Sequence, residues 1–191
     1  MSGTITFNFD VRKFVHAAAW LVERRPETTR MKLAKLLRFA DRDHLLVCGR
    51  PVPGDRYIRM EFGPVPSQAC NIMKHDERVA AQDQALFDHY LDVRGNHIIF
   101  RMPANPDCLS ETDFEILEGV LTKYGPVTPA HLSRLSHCEP AWQSAALNST
   151  IDLSLLFADD DAIGQLVRED QELRSALNEM EPDELPVSLR P

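Results

Sequence analysis

The amino-acid sequence predicts a mostly α (α+β) chain, a compact helical domain with a small antiparallel β-sheet or hairpin. Three observations lead there. Apolar residues recur at three- and four-residue steps through several long segments, the period of a helix with one buried face. Strict apolar–polar alternation is confined to two short stretches, residues 55–62 and 91–102. Finally, 191 residues at 43% hydrophobic composition suffice for one core of ordinary size.

The first helix is expected from an N-cap at Asp10 to about Arg24, with Phe14, Val15, Ala17, Ala18, Leu21 and Val22 inward and Trp20 at an edge, ended by Pro26. A second helix follows at once. Thr28 or Thr29 supplies its N-terminal acceptor, its stripe is Leu33, Leu36, Leu37, Ala40, His44 and Cys48, and Gly49 stands where a left-handed residue closes a helix. Two helices joined so closely should pair antiparallel. Pro51 and Pro53 forbid continuation. In residues 55–62, Tyr57, Arg59 and Glu61 alternate with Ile58, Met60 and Phe62, which predicts a strand with one wet face. Gly63-Pro64 is expected to break that strand, and Pro66 to open a helix reaching about His75.

Residues 76–91 are helical by propensity but weakly patterned, whereas Gly95-Asn96 marks the two-residue loop of a hairpin. With residues 55–62 this predicts one small sheet of two or three strands. Leu109-Ser110-Glu111-Thr112-Asp113-Phe114 is the best-specified helix start: Ser110 can cap, Asp113 can reach back, and Leu109 can staple to Phe114. Its stripe of Phe114, Leu117, Leu121 and Tyr124 closes at Gly125-Pro126. Tyr124-Gly125-Pro126-Val127 echoes Phe62-Gly63-Pro64-Val65, but one leaves a helix and the other a strand, so the echo reads as shared punctuation rather than a repeat. A last helix should start near Asp160 or Asp161, with Ile163, Leu166, Val167, Leu173, Leu177 and Met180 as its stripe, and residues 182–191 should form a loose tail.

Charge divides the chain unevenly. Residues 158–184 hold ten acidic side chains against Arg168 and Arg174, which accounts for the whole net charge of −8. A body without positive excess attracts phosphate backbones poorly, which argues against nucleic acid as the partner. No basic-then-apolar leader and no long apolar run is present, so a soluble cytoplasmic protein without membrane contact is the expectation. Cys48, Cys70, Cys108 and Cys138 are scattered and contain no C-x-x-C, which fits reduced thiols.

Three constellations invite chemistry. His131, His137 and Cys138, with His44 or Cys108, raise a metal site, but no pair has tight ligand spacing. Asp41, Asp43, His44 and Asp55 raise an acid–base cluster, yet no nucleophile elbow or phosphate-binding loop accompanies them, and a turn aspartate usually caps local backbone. Residues 110–137 raise a helix-turn-helix, whose second helix offers Arg134 and histidines but no lysine for phosphates.

The run KLAKLLRFADRDHL, then GRPVPGD, then FGPVPS resembles the Panacea domain of SocA-like bacterial antitoxins. Lys32, Leu33, Lys35, Leu36, Leu37, Phe39, Ala40, Gly49, Arg50, Pro51, Gly54, Asp55, Gly63, Pro64 and Val65 carry the match. Arg38 and Phe62 stand where the family often has tyrosine. Tyr124-Gly125, Leu132-Ser133, Leu135, Ser136-His137, Glu139 and Trp142 extend the similarity to about Trp142, leaving the acidic segment uncovered. The resemblance implies an antitoxin that binds and neutralises a cognate toxin protein, is not an enzyme and needs no cofactor or metal. It also implies an alternative, an adaptor that delivers the toxin to an AAA+ protease, and leaves a homodimer open. From another class come a small hydrolase using His137 or Asp55 and a DNA-binding autoregulator. The expected organisation is an antitoxin-like domain over 1–157, an acidic helix over 158–181 packed on it or on a partner, and the tail. The expected partner-binding face is Arg56, Tyr57, Arg59 and Glu61, beside the Gly63-Pro64-Val65 turn.

Overall fold

The computed structural model describes residue 5 and residues 7–179, with side chains to residue 176. The expected tail, and the Leu177 and Met180 side chains, lie outside the described residues.

Two helices form the centre. Helix α1 (Val11–Arg24) is capped by the Asp10 carboxylate, which accepts from Lys13 N–H at 2.9 Å. Helix α2 (Arg30–Cys48) starts at the Thr29 hydroxyl and ends at Gly49, whose φ of 70° is left-handed as expected. Phe14, Val15, Ala17, Ala18 and Leu21 meet Leu33, Leu36, Leu37, Phe39 and Ala40 in the main core, all essentially inaccessible to solvent. Burial on this scale is the chief stabilising term at roughly 25 cal/mol per Å².

The strand prediction needs a correction. The chain turns at Glu61-Phe62, so β1 (Tyr57–Met60) pairs antiparallel with β2 (Gly63–Pro66). Gly63, at φ 99°, takes the conformation that lets the turn close. The prolines survive inside a strand because of register. Ser67 N–H bonds back to Arg56 O, and Ile58 is opposite Val65, so Pro64 and Pro66 fall at positions whose nitrogens face away from β1. Helix α3 (Ser67–Met73) follows directly.

Helix α4 (Ala81–Tyr90) buries Phe87, and β3 (Leu91–Arg94) pairs with β4 (His97–Phe100) across the expected Gly95-Asn96 turn. The two hairpins are separate two-stranded units and do not join into one sheet. Helix α5 (Glu111–Tyr124) opens with a full capping box of Ser110 and Asp113. Helix α6 (Pro129–His137) and the short α7 (Pro140–Ser144) follow, and α8 (Asp161–Glu179) is the last described element. A smaller core of Leu45, Tyr57, Ala141, Ile151, Leu153, Phe157 and Val167 brings the first half of α8 against the end of α2. Further along α8, Leu173 remains 60% exposed. No helix among the described residues is long and apolar enough to cross a membrane.

Candidate functional site

Helix α2 carries a second, polar line beside its apolar stripe: Lys32, Lys35, Arg38 and Asp41 at three-residue steps, with Arg42 four residues after Arg38. The first four are buried. A buried charge is costly unless it is partnered, and each of these reaches a different distant turn.

Lys32 donates to Tyr124 O at 2.6 Å and to Val127 O, so it caps the end of α5 and holds the turn after it. Lys35 donates to Phe62 O at 2.6 Å and to Pro64 O at 3.4 Å. The two aromatic-Gly-Pro-Val segments are thus gripped by lysines three residues apart on one helix. They are not structural copies: Gly63 sits at φ 99° and Gly125 at φ −52°. Burial pushes both ammonium groups down to about 8.

Arg38 pairs with Glu139 at 2.5 Å, and its guanidinium lies 5.0 Å from the centre of the Tyr57 ring. Glu139 is shared with Arg42 at 3.0 Å, and Arg42 also donates to Asp43 at 2.5 Å and to the Tyr124 hydroxyl at 2.7 Å. Asp41 accepts from Tyr57 Oη at 2.7 Å and from Gly54 N–H at 3.2 Å. Burial raises its pKa to about 6, partly offset by those two bonds.

Asp55 receives the Gln68 and Ala69 amides at 3.0 and 2.7 Å, and so caps α3 from outside that helix. It too is raised to about 6 by burial. Gly54, at φ 73°, lies against the backbone of Asn8 and the ring of Pro51. Arg50 bridges from the end of α2 to the capping box of α5, meeting Asp113 at 3.1 Å and Ser110 at 3.0 Å. Burial opposes ionisation of Asp113, but bonds from His44, Lys13 and Ser110 N–H outweigh it and hold the carboxyl well below the usual range.

The acid–base constellation therefore comes apart. Asp41 and His44 turn to different partners, His44 to Arg50 O at 2.6 Å and Thr112 Oγ1 at 3.1 Å. Among the described residues no group of three or more His, Cys, Asp and Glu side chains is placed to hold a metal ion. On α6, Leu132, Ser133 and Ser136 are buried, and His137 stacks on Trp142 with ring centres 4.0 Å apart.

The expected contact face is also rearranged. Arg56 and Glu61 are exposed, but Tyr57 is fully buried because its hydroxyl serves Asp41. Arg59 lies 4.3 Å from the Trp142 ring centre and donates to Ala145 O at 2.5 Å. Tyr57 and Arg59 do share one side of β1, but residues 148–151 cover that strand's free edge, bonding to Tyr57 O, Arg59 N–H and Arg59 O. Of the apolar residues that alternate with Tyr57, Arg59 and Glu61, Met60 and Phe62 are exposed and Ile58 is half-buried. The sequence names Arg38 and Glu139 only through the family resemblance, and neither their ion pair nor the part of Arg42 in it is read there. For Arg38 and Arg42 the signal is the three- and four-residue spacing of charges along α2; Glu139 lies on another element and carries no such signal.

Leu36, Leu37, Gly49, Pro51, Gly54, Gly63, Pro64, Val65, Ser110, Tyr124, Gly125, His137 and Trp142 thus lie on α2 or on segments that α2's polar line and Arg50 tie to it. Comparison with curated proteins gives no match, and comparison with solved structures gives none either. The family described as "Antitoxin SocA-like, Panacea domain" matches residues 33–143, more than half of the chain, from within α2 to α7. This chain belongs to that antitoxin SocA-like, Panacea-domain family.

Proposed function

We propose that the chain is an antitoxin that neutralises a cognate toxin by direct protein–protein contact. Family membership over residues 33–143 carries this reading. The internal use of the charged groups supports it. Lys32, Lys35, Arg38, Asp41, Asp55 and Asp113 each bond to backbone or to an opposite charge, which is how a scaffold uses buried charge. The α6 helix, whose inward face is engaged in packing, offers Arg134 as its one guanidinium, a poor basis for reading DNA. The test is co-expression with the product of the neighbouring gene, the toxin candidate. Growth arrest by that product alone, relief on co-expression and co-purification of the pair are the expected results. Arrest that persists beside abundant, folded antitoxin candidate overturns the reading.

A further inference from the structure

An apolar groove of about 320 Å³ opens where the start of α2, the β1–β2 turn and the end of α3 meet. Its walls include Met31, Ala34, Met60, Phe62, Val65 and Met73. Met31 is 45% exposed, Met60 40% and Phe62 63%, so three large apolar side chains face solvent together. Contiguous exposure of this kind marks an interaction surface, and flexible methionines suit one that moulds to its occupant.

The charge at the rim is one-sided. Arg30, Lys35 and Lys74 line the groove and no acidic residue does, on a chain whose net charge is −8. Lys35 is occupied by the Phe62 carbonyl, but neither Arg30 nor Lys74 belongs to an ion pair among the described residues. The groove is also closed to an added strand. Where β2 borders it, Pro64 and Pro66 have no N–H to offer, and the Val65 N–H faces β1. An occupant must therefore bind through side chains, as a helix does when it lays its apolar face into a groove.

We propose that this groove docks an amphipathic helix of the partner toxin, one that carries carboxylates beside its apolar face to meet Arg30 and Lys74. The proposal rests on the antitoxin reading and assigns the surface that performs it. Phe62 and the methionines supply the buried anchors, and the two cations fix orientation and steer association.

The test uses the full chain and the neighbouring gene's product as probe, with neutralisation in cells and Kd in solution as readouts. Met31→Glu and Phe62→Asp place charge at exposed positions, so melting temperatures within a few degrees of the parent confirm folding. Each is expected to weaken binding at least tenfold and abolish rescue. Arg30→Glu with Lys74→Glu is expected to weaken binding and flatten its dependence on salt. Leu147→Asp, exposed but outside the groove, serves as control and is expected to bind like the parent. If the parent neutralises and the groove variants do so equally, the groove is not the site while the antitoxin reading stands. A parent that neither binds nor neutralises overturns both. Should the chain prove to be a dimer that these substitutions dissociate, the occupant is a second copy and the proposal is wrong.

Discussion

Lys35 and Phe62 are 27 positions apart, yet the ammonium of one donates to the carbonyl of the other at 2.6 Å. That bond fixes the β1–β2 turn against α2 and sets where the Phe62 ring emerges. Gly63 makes the approach feasible: a Cβ there would lie 2.4 Å from Lys35 Nζ and 2.6 Å from Ser136 Oγ. Gly63→Ala must push the Lys35 and Ser136 side-chain ends aside at an unfavourable φ and is expected to cost about 1–3 kcal/mol in urea denaturation. Lys35→Met leaves two carbonyls without their donor and should cost about 1–3 kcal/mol, as should Lys32→Met at the second turn.

The Arg38–Glu139 pair is deeply buried, and Arg38 Nε and Nη1 have no hydrogen-bond partner among the described residues. Removing Glu139 leaves Arg38 without its carboxylate, whereas Arg42 keeps Asp43. Glu139→Ala is expected to destabilise by about 3–5 kcal/mol. The double variant Arg38→Met, Glu139→Leu removes both charges and should be more stable than Glu139→Ala alone. Thermal melts of the set decide it; a double variant worse than the single would show that the pair is worth more than its desolvation.

Helix ends were legible because capping is local. Asp10, Thr29, Ser110 and Gly49 announce their roles within three or four residues, and all four act as read. The polar line on α2 was not legible in the same way. Whether Arg38 and Asp41 are wet or buried depends on Glu139 and Tyr57, which the chain delivers from other elements. The same holds for β1. Alternation correctly grouped Tyr57 with Arg59, but local sequence does not say which side of a two-residue-period strand meets the core. The prolines of β2 misled for a related reason, since a proline's cost in a strand depends on which way its nitrogen faces.

The buried carboxylates predict an unusual acid response. Asp41 and Asp55 have folded pKa values raised to about 6 from 3.8, by burial in both cases. A raised value in the folded state means that their stabilising contribution is complete below about 4 and is lost as pH rises through 6. Asp113 works in the opposite sense, its contribution being present above 4 and lost in strong acid. Between pH 7 and pH 4, Asp41→Asn should therefore remove roughly 2 kcal/mol of the parent's pH-dependent stability change. Urea denaturation at pH 4, 5, 6 and 7 measures this, and a variant with the parent's full pH slope would assign the dependence to other groups.

The acidic helix α8 can be tested through a glycine that it touches. A Cβ at Gly49 would lie 2.6 Å from Leu166 Cβ and 2.9 Å from Val167 N, both on α8, and Gly49 itself sits at φ 70°. Val167 is fully buried beside Leu45, while Leu173 is exposed. These contacts place the structural role of α8 in its first half. Gly49→Ala in the full chain then carries two costs, about 1 kcal/mol for the left-handed backbone and a further 1–3 kcal/mol for the clash. In a chain ending at Phe157 only the first remains, so the substitution should be milder there, although the truncated chain starts from lower stability. Val167→Ala should cost about 1–3 kcal/mol, and Leu173→Glu should stay within about 0.5 kcal/mol. Comparison of the Gly49→Ala penalty in the two lengths by urea titration is the decisive measurement. Equal penalties would mean that α8 does not rest on the end of α2 in solution, freeing the whole acidic helix to meet a partner.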